Sequence, residues 1–136
     1  MTFDVLGEIN YLAVLAAAVA YFAFGALWYT ALFGRAWQRA TGVTQSDAGS
    51  MATAFIGSFI GYFISAVALA AIARATGSST VMHGIVIGSM VGLGLLTPMI
   101  WINATYERRP ATLFWINAMN AVLGYTLMAI IVTVWR

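Results

Sequence analysis

Four long apolar runs, separated by short polar stretches, set the pattern of this chain: residues 9–33, 51–73, 81–106 and 111–135. The interior of each is free of charge. A bilayer core about 30 Å thick needs about 20 apolar residues at helical rise, and each run is long enough. The runs are continuously apolar rather than alternating over about ten residues, so helices are predicted and not barrel strands. The expected fold is all-α: a polytopic membrane protein with four transmembrane helices in an antiparallel up-down bundle. It forms a single domain over 1–136, with helices at about 9–33, 45–75, 81–106 and 111–135.

The polar stretches carry their own signals. Thr76-Gly77-Ser78-Ser79-Thr80 reads as a turn, with Gly77 closing one helix and Ser79 or Thr80 capping the next. Pro110 suits the first position of the last helix, where its missing donor costs nothing. Thr44 followed by Asp47 has the outline of a capping box and starts the second helix near Gln45. The segment Arg35 to Arg39 is expected along the membrane interface. Connections this short make consecutive helices antiparallel neighbours.

Composition then removes the soluble alternatives. Hydrophobic residues are 62% of the chain and charged ones 7%, too few to cover a water-facing surface. Lipid must surround most side chains, so membrane lipids are the first expected partners. The net charge is +2, but the six cations are scattered arginines with no basic stripe, which argues against nucleic acid. The absence of cysteine excludes disulfides, thiolate catalysis and zinc–thiolate or iron–sulfur sites. The acidic N-terminus and an apolar run of about 25 residues do not fit a secretory signal, so the first run is expected to remain as a membrane helix. Arg35, Arg39, Arg108 and Arg109 fall on the first and third connections, against Arg74 and Arg136 on the other face. That asymmetry predicts cytoplasmic first and third connections and both termini outside. The same arginines are candidates for lipid headgroup contact. Trp28, Tyr29, Trp37, Trp101, Tyr106 and Trp115 are expected as an aromatic belt on that side.

Small residues recur at helical spacing on two of the runs. Ala54, Gly57, Gly61 and Ser65 form one stripe, and Gly84, Gly88 and Gly92 another. In lipid such stripes let backbones approach closely, within the chain or between subunits, so the expected role is helix packing. Thr97-Pro98 interrupts the third run and frees the Gly94 carbonyl, predicting a kink or irregular turn. Asn103, Asn117 and Asn120 are the informative polar set. Counting from Pro110, Asn103 and Asn117 are placed at one depth, with Asn120 one turn deeper. An amide in hydrocarbon is costly unless paired, so these side chains should face protein. They serve either as interhelical hydrogen bonds or as the lining of a polar cavity. His83 is the only histidine, which leaves no metal site. No catalytic triad, paired carboxylates, phosphate loop or dinucleotide fingerprint is present, so no catalytic residue, cofactor or metal is expected. The lack of an acidic residue inside any span argues against proton-coupled export.

Several separated motifs resemble one family. Ile9-Asn10-Tyr11-Leu12-Ala13-Val14, Gly25-Ala26-Leu27-Trp28-Tyr29 and Phe33-Gly34-Arg35-Ala36-Trp37 come first. Glu107-Arg108-Arg109-Pro110, Leu113 and Ile116-Asn117-Ala118 follow in order. Together they resemble the bacterial membrane family Domain of Unknown Function 1761, over essentially the whole chain. The resemblance implies a small bacterial four-helix membrane protein, hence one of the inner membrane, and supplies no activity or catalytic residue. The expected function is non-enzymatic: assembly as a homo-oligomer or as an accessory subunit of a membrane complex. The alternatives are an Asn-lined path for a small solute or ion, and lipid or quinone binding at the aromatic belt.

Overall fold

The computed structural model describes residues 2–42 and 48–136, with side chains omitted for 48–51. After a 3-10 turn at Phe3–Gly7, helix α1 runs Tyr11–Leu27 and continues through a wide π turn at Trp28–Leu32. Helix α2 is Gly34–Thr41, and α3 is Ala48–Ala75. Helix α4, Val81–Val91, passes through a second π turn at Gly92–Leu96 into α5, Thr97–Tyr106. Helix α6 is Ala111–Val134. Among the described residues, four helical stretches are long and apolar enough to cross a bilayer: Tyr11–Leu32, Ala52–Ala75, Val81–Tyr106 and Ala111–Val134. The protein is thus an all-helical integral membrane protein, as the hydropathy predicts. The capping box at Thr44 and Asp47 lies outside the described residues.

Local chemistry sets the visible helix ends. The Asn10 side chain accepts from the Leu12 and Ala13 backbone N–H groups, at 3.1 and 3.4 Å. Gly77 takes the left-handed conformation at φ +67° after α3, the conformation expected at that turn. Thr80 caps α4: its hydroxyl accepts from His83 N–H at 3.1 Å, and His83 Nδ1 accepts from Ser79 N–H at 3.1 Å. His83 thereby completes a reciprocal cap, the place a Glu or Gln more often fills. Pro110 stands one residue before the predicted position, capping α6 with extended backbone.

The bundle has a hub rather than four equivalent neighbours. Helix α6 packs on α1, α3 and α4, most extensively on α4, and α3 touches α4 far less than it touches α1. The second and third spans are therefore poor neighbours despite their short connection. A groove of about 590 Å³ opens between them, lined by Ile72, Ser78, His83, Ile87 and Leu95 among others.

Glycines set the hub's register. An added Cβ at Gly84 would meet the Ile130 backbone at 2.6 Å, one at Gly88 the Thr126 Cα at 2.3 Å, and one at Gly92 the Val122 Cα at 2.8 Å. The backbones of α4 and α6 thus touch along three successive turns, with no room for a side chain. Gly124 supplies the same closeness towards α1, where its Cβ would lie 2.2 Å from the Tyr21 ring.

The helix interruption falls just upstream of Pro98. Both the Thr97 backbone N–H and the Thr97 hydroxyl donate to the Gly92 carbonyl, the hydroxyl at 2.7 Å. The irregular turn expected at Thr97-Pro98 is therefore a π turn that ends at the proline. Its counterpart at Trp28–Leu32, closed by Phe33 N–H on the Trp28 carbonyl at 2.8 Å, has no proline to announce it.

Candidate functional site

The three helices α1, α3 and α6 meet along a seam of aromatic and polar side chains. Tyr21 is buried at its centre, and its hydroxyl donates to Asn120 Oδ1 at 2.8 Å. Two turns along, the Tyr29 hydroxyl donates to Asn117 Oδ1 at 2.7 Å. Trp28 Nε1–H donates to the Ile116 carbonyl at 3.1 Å. On α3, Ser65 shares a 2.7 Å hydrogen bond with the Tyr125 hydroxyl of α6. Rings bind the seam laterally. Tyr62 stacks on Tyr21 at 4.1 Å between centroids, and Tyr125 meets Tyr21 edge-on at 5.6 Å.

These contacts place the sequence candidates. Asn117 and Asn120 face protein, accepting phenols from the π turn after α1 and from α1 itself. Asn120 is 4% exposed, and its Nδ2 has no hydrogen-bond partner among the described residues; nor do the buried hydroxyls of Thr126 and Thr133. Asn103 is exposed and does not pair with Asn117. Symmetry about Pro110 put these two at one depth, but the glycine contacts pair residue 92 with 122 and residue 88 with 126. Continued through α5, that register sets Asn103 more than a turn nearer the connecting loop than Asn117. The two still border one small cavity of about 180 Å³, together with Glu107, Arg109 and Phe114. Glu107 and Arg109, both exposed, form an ion pair with each other.

The two small-residue stripes part company. Gly84, Gly88 and Gly92 are consumed by α6. On α3, Ser65 turns inward to Tyr125, whereas Gly57 and Gly61 are exposed, and an added Cβ at either would meet nothing within 4 Å. Arg35, Arg39, Arg108 and Arg109 are all exposed. Trp28 is a correction to the predicted belt. It is 4% exposed, held inward by the Ile116 carbonyl and packed on Phe33 at 4.4 Å between ring centroids. Tyr29 likewise turns to Asn117, while Trp101, Tyr106 and Trp115 stay exposed.

Beside the seam, α1 and α3 part to leave a groove of about 230 Å³. Phe22, Gly25 and Tyr29 line it from α1 and its π turn, Phe55 and Tyr62 from α3, and Trp37 from α2. Tyr29 and Trp37 meet there edge-on at 6.0 Å. Gly34 makes the turn into α2 possible, because a Cβ there would lie 2.9 Å from the Tyr29 carbonyl oxygen. Sequence reasoning missed the tyrosines. The signal was present as Tyr21 and Tyr29 eight residues apart on one face, opposite Asn120 and Asn117 on another run. Among the described residues no group of three metal-ligating side chains occurs.

No curated protein and no solved structure matches this chain. One family does, over residues 12–133, and its description is Protein of unknown function (DUF1761). The match takes in the four spans except their outermost residues Tyr11 and Val134, the Tyr–Asn seam and both glycine stripes, in agreement with the resemblance carried by the sequence motifs. The chain belongs to the DUF1761 family.

Proposed function

We propose that the protein acts non-enzymatically through helix–helix assembly in the membrane, as a homo-oligomer or as an accessory subunit. The observation that carries this reading is the unequal use of the two glycine stripes. One is buried against α6, where each glycine admits a backbone. The other presents Gly57 and Gly61 on an exposed face of α3 with open space before them. Glycine in a helix interior costs about 1 kcal/mol relative to alanine. A close-approaching partner helix offsets that cost in lipid, where packing is the main force between helices.

The chain has no cysteine, which makes the test direct. Gly61→Cys should cross-link in native membranes, and Gly57→Leu with Gly61→Leu should shift the detergent-purified particle to the mass of a single chain. A wild-type particle that is already monomeric and copurifies with no other protein overturns the reading. The solute-path alternative has less support, since the oxygens of Asn117 and Asn120 already accept from Tyr29 and Tyr21.

The proposal extends to placement. The arginine asymmetry supports an inner-membrane orientation with the α1–α3 and α5–α6 connections cytoplasmic and both termini outside.

A further inference from the structure

Tyr21, Tyr29 and Tyr125, the other tyrosines of the α1–α3–α6 seam, each have a hydrogen-bond partner. Tyr62 has none among the described residues. Its ring stacks on Tyr21 at 4.1 Å between centroids, which favours the orientation that sets the phenol at the groove. Its hydroxyl lies beside Gly25, 3.5 Å from where a Cβ would stand, and both residues line the groove between α1 and α3. An unpaired hydroxyl in an apolar setting is costly, and a ligand that accepts its proton removes the cost.

The groove defines that ligand further. Its walls are aromatic, with Phe22, Phe55, Tyr29 and Trp37, and among the described residues no charged one lines it. A neutral, flat, apolar molecule with an exposed acceptor matches these walls. Depth separates two sources of a carbonyl. Gly25 is nine residues before Gly34, where α2 begins, or about 13 Å along the helix. A phospholipid ester is anchored at the interface and falls short of a hydroxyl near the middle of a core about 30 Å thick. A ring carbonyl on a lipid-soluble head does not.

We infer that this groove binds a neutral, lipid-soluble ring carbonyl compound of the quinone class, with one carbonyl accepting from the Tyr62 hydroxyl and the ring lying between Phe22 and Trp37. This site does not depend on the Gly57–Gly61 face, so a monomeric protein would still bind.

The test uses the full chain in detergent and a benzoquinone carrying a short alkyl tail, with bound ligand read by native mass spectrometry and equilibrium dialysis. Wild type is expected to hold one quinone per chain. Tyr62→Phe keeps the ring stack and loses the donor, so it should bind roughly threefold to tenfold more weakly at unchanged thermal stability. Ala26→Leu fills the groove from an exposed position and should abolish binding. Equal binding by all three proteins overturns the assignment, as does a wild type that takes up no quinone. Retention of a phospholipid that the quinone does not displace, weakened by Ala26→Leu alone, overturns the ring-carbonyl class.

Discussion

Tyr21 and Gly124 face each other where α1 crosses α6, and the ring occupies the space a methyl group would take. Gly124→Ala must push Tyr21 off both Asn120 and the Tyr62 stack. We expect a loss of about 1–3 kcal/mol, read by unfolding in a mixed-detergent titration. Gly25→Ala is the matched control. Its Cβ would make ordinary contact at 3.5 Å with the Tyr62 hydroxyl, and stability should stay within about 0.5 kcal/mol of wild type. Tyr21→Phe removes one phenol and leaves the Asn120 oxygen buried without its closest donor, at an expected cost of about 1 kcal/mol. That Asn117 and Asn120 turn inward was legible in the sequence, because an amide in hydrocarbon needs a partner; the same expectation failed for Asn103, which is exposed near the connecting loop. Their partners were not, because a tyrosine in an apolar run reads equally as an interfacial residue.

Each helix shows which of its small residues matter. Along α4 the sequence Gly84, Gly88, Gly92 tracks the α6 backbone, and the middle contact is the tightest. Gly88→Val should therefore separate α4 from α6 and lower stability by several kcal/mol, or prevent accumulation in membranes, as followed by unfolding and by expression level. Gly94→Ala, two residues beyond that seam with nothing within 4 Å, should be neutral or slightly stabilising. The contrast checks which face of the third span meets α6, since only a rotation that brought Gly94 to the seam would exchange the two outcomes. The π turn at Gly92–Leu96 was legible as an irregularity from Thr97-Pro98. The turn at Trp28–Leu32 was not, since its only local mark is in the hydrogen bonds that close it.

For the whole molecule, four spans put both ends on one side of the membrane. With the proposed orientation, Ser79→Cys in the α3–α4 turn should react with a membrane-impermeant maleimide in intact bacterial cells. Ala111→Cys, at the start of α6, should react only after permeabilisation. The reverse pattern would show that Arg35, Arg39, Arg108 and Arg109 do not set the topology. The hub arrangement explains why the chain can leave a wide groove between α3 and α4 and still hold together. The last helix binds α1, α3 and α4, and the α3–α4 contact contributes little to the core.

By itself the sequence determined that this is a four-span helical membrane protein, where its spans lie, that Gly77 and Thr80 make a turn, and that Asn117 and Asn120 face protein. Each of these follows from a local pattern and from the solvent, so no distant residue is needed to decide it. The tertiary structure alone decided that α6 is the hub, that one glycine stripe is buried while Gly57 and Gly61 stay open, that Trp28 enters the core, and that Tyr62 borders a groove with no hydrogen-bond partner among the described residues. Those outcomes depend on the register between segments far apart in the chain. Contact between glycine and a facing backbone sets that register, and hydropathy carries no trace of it.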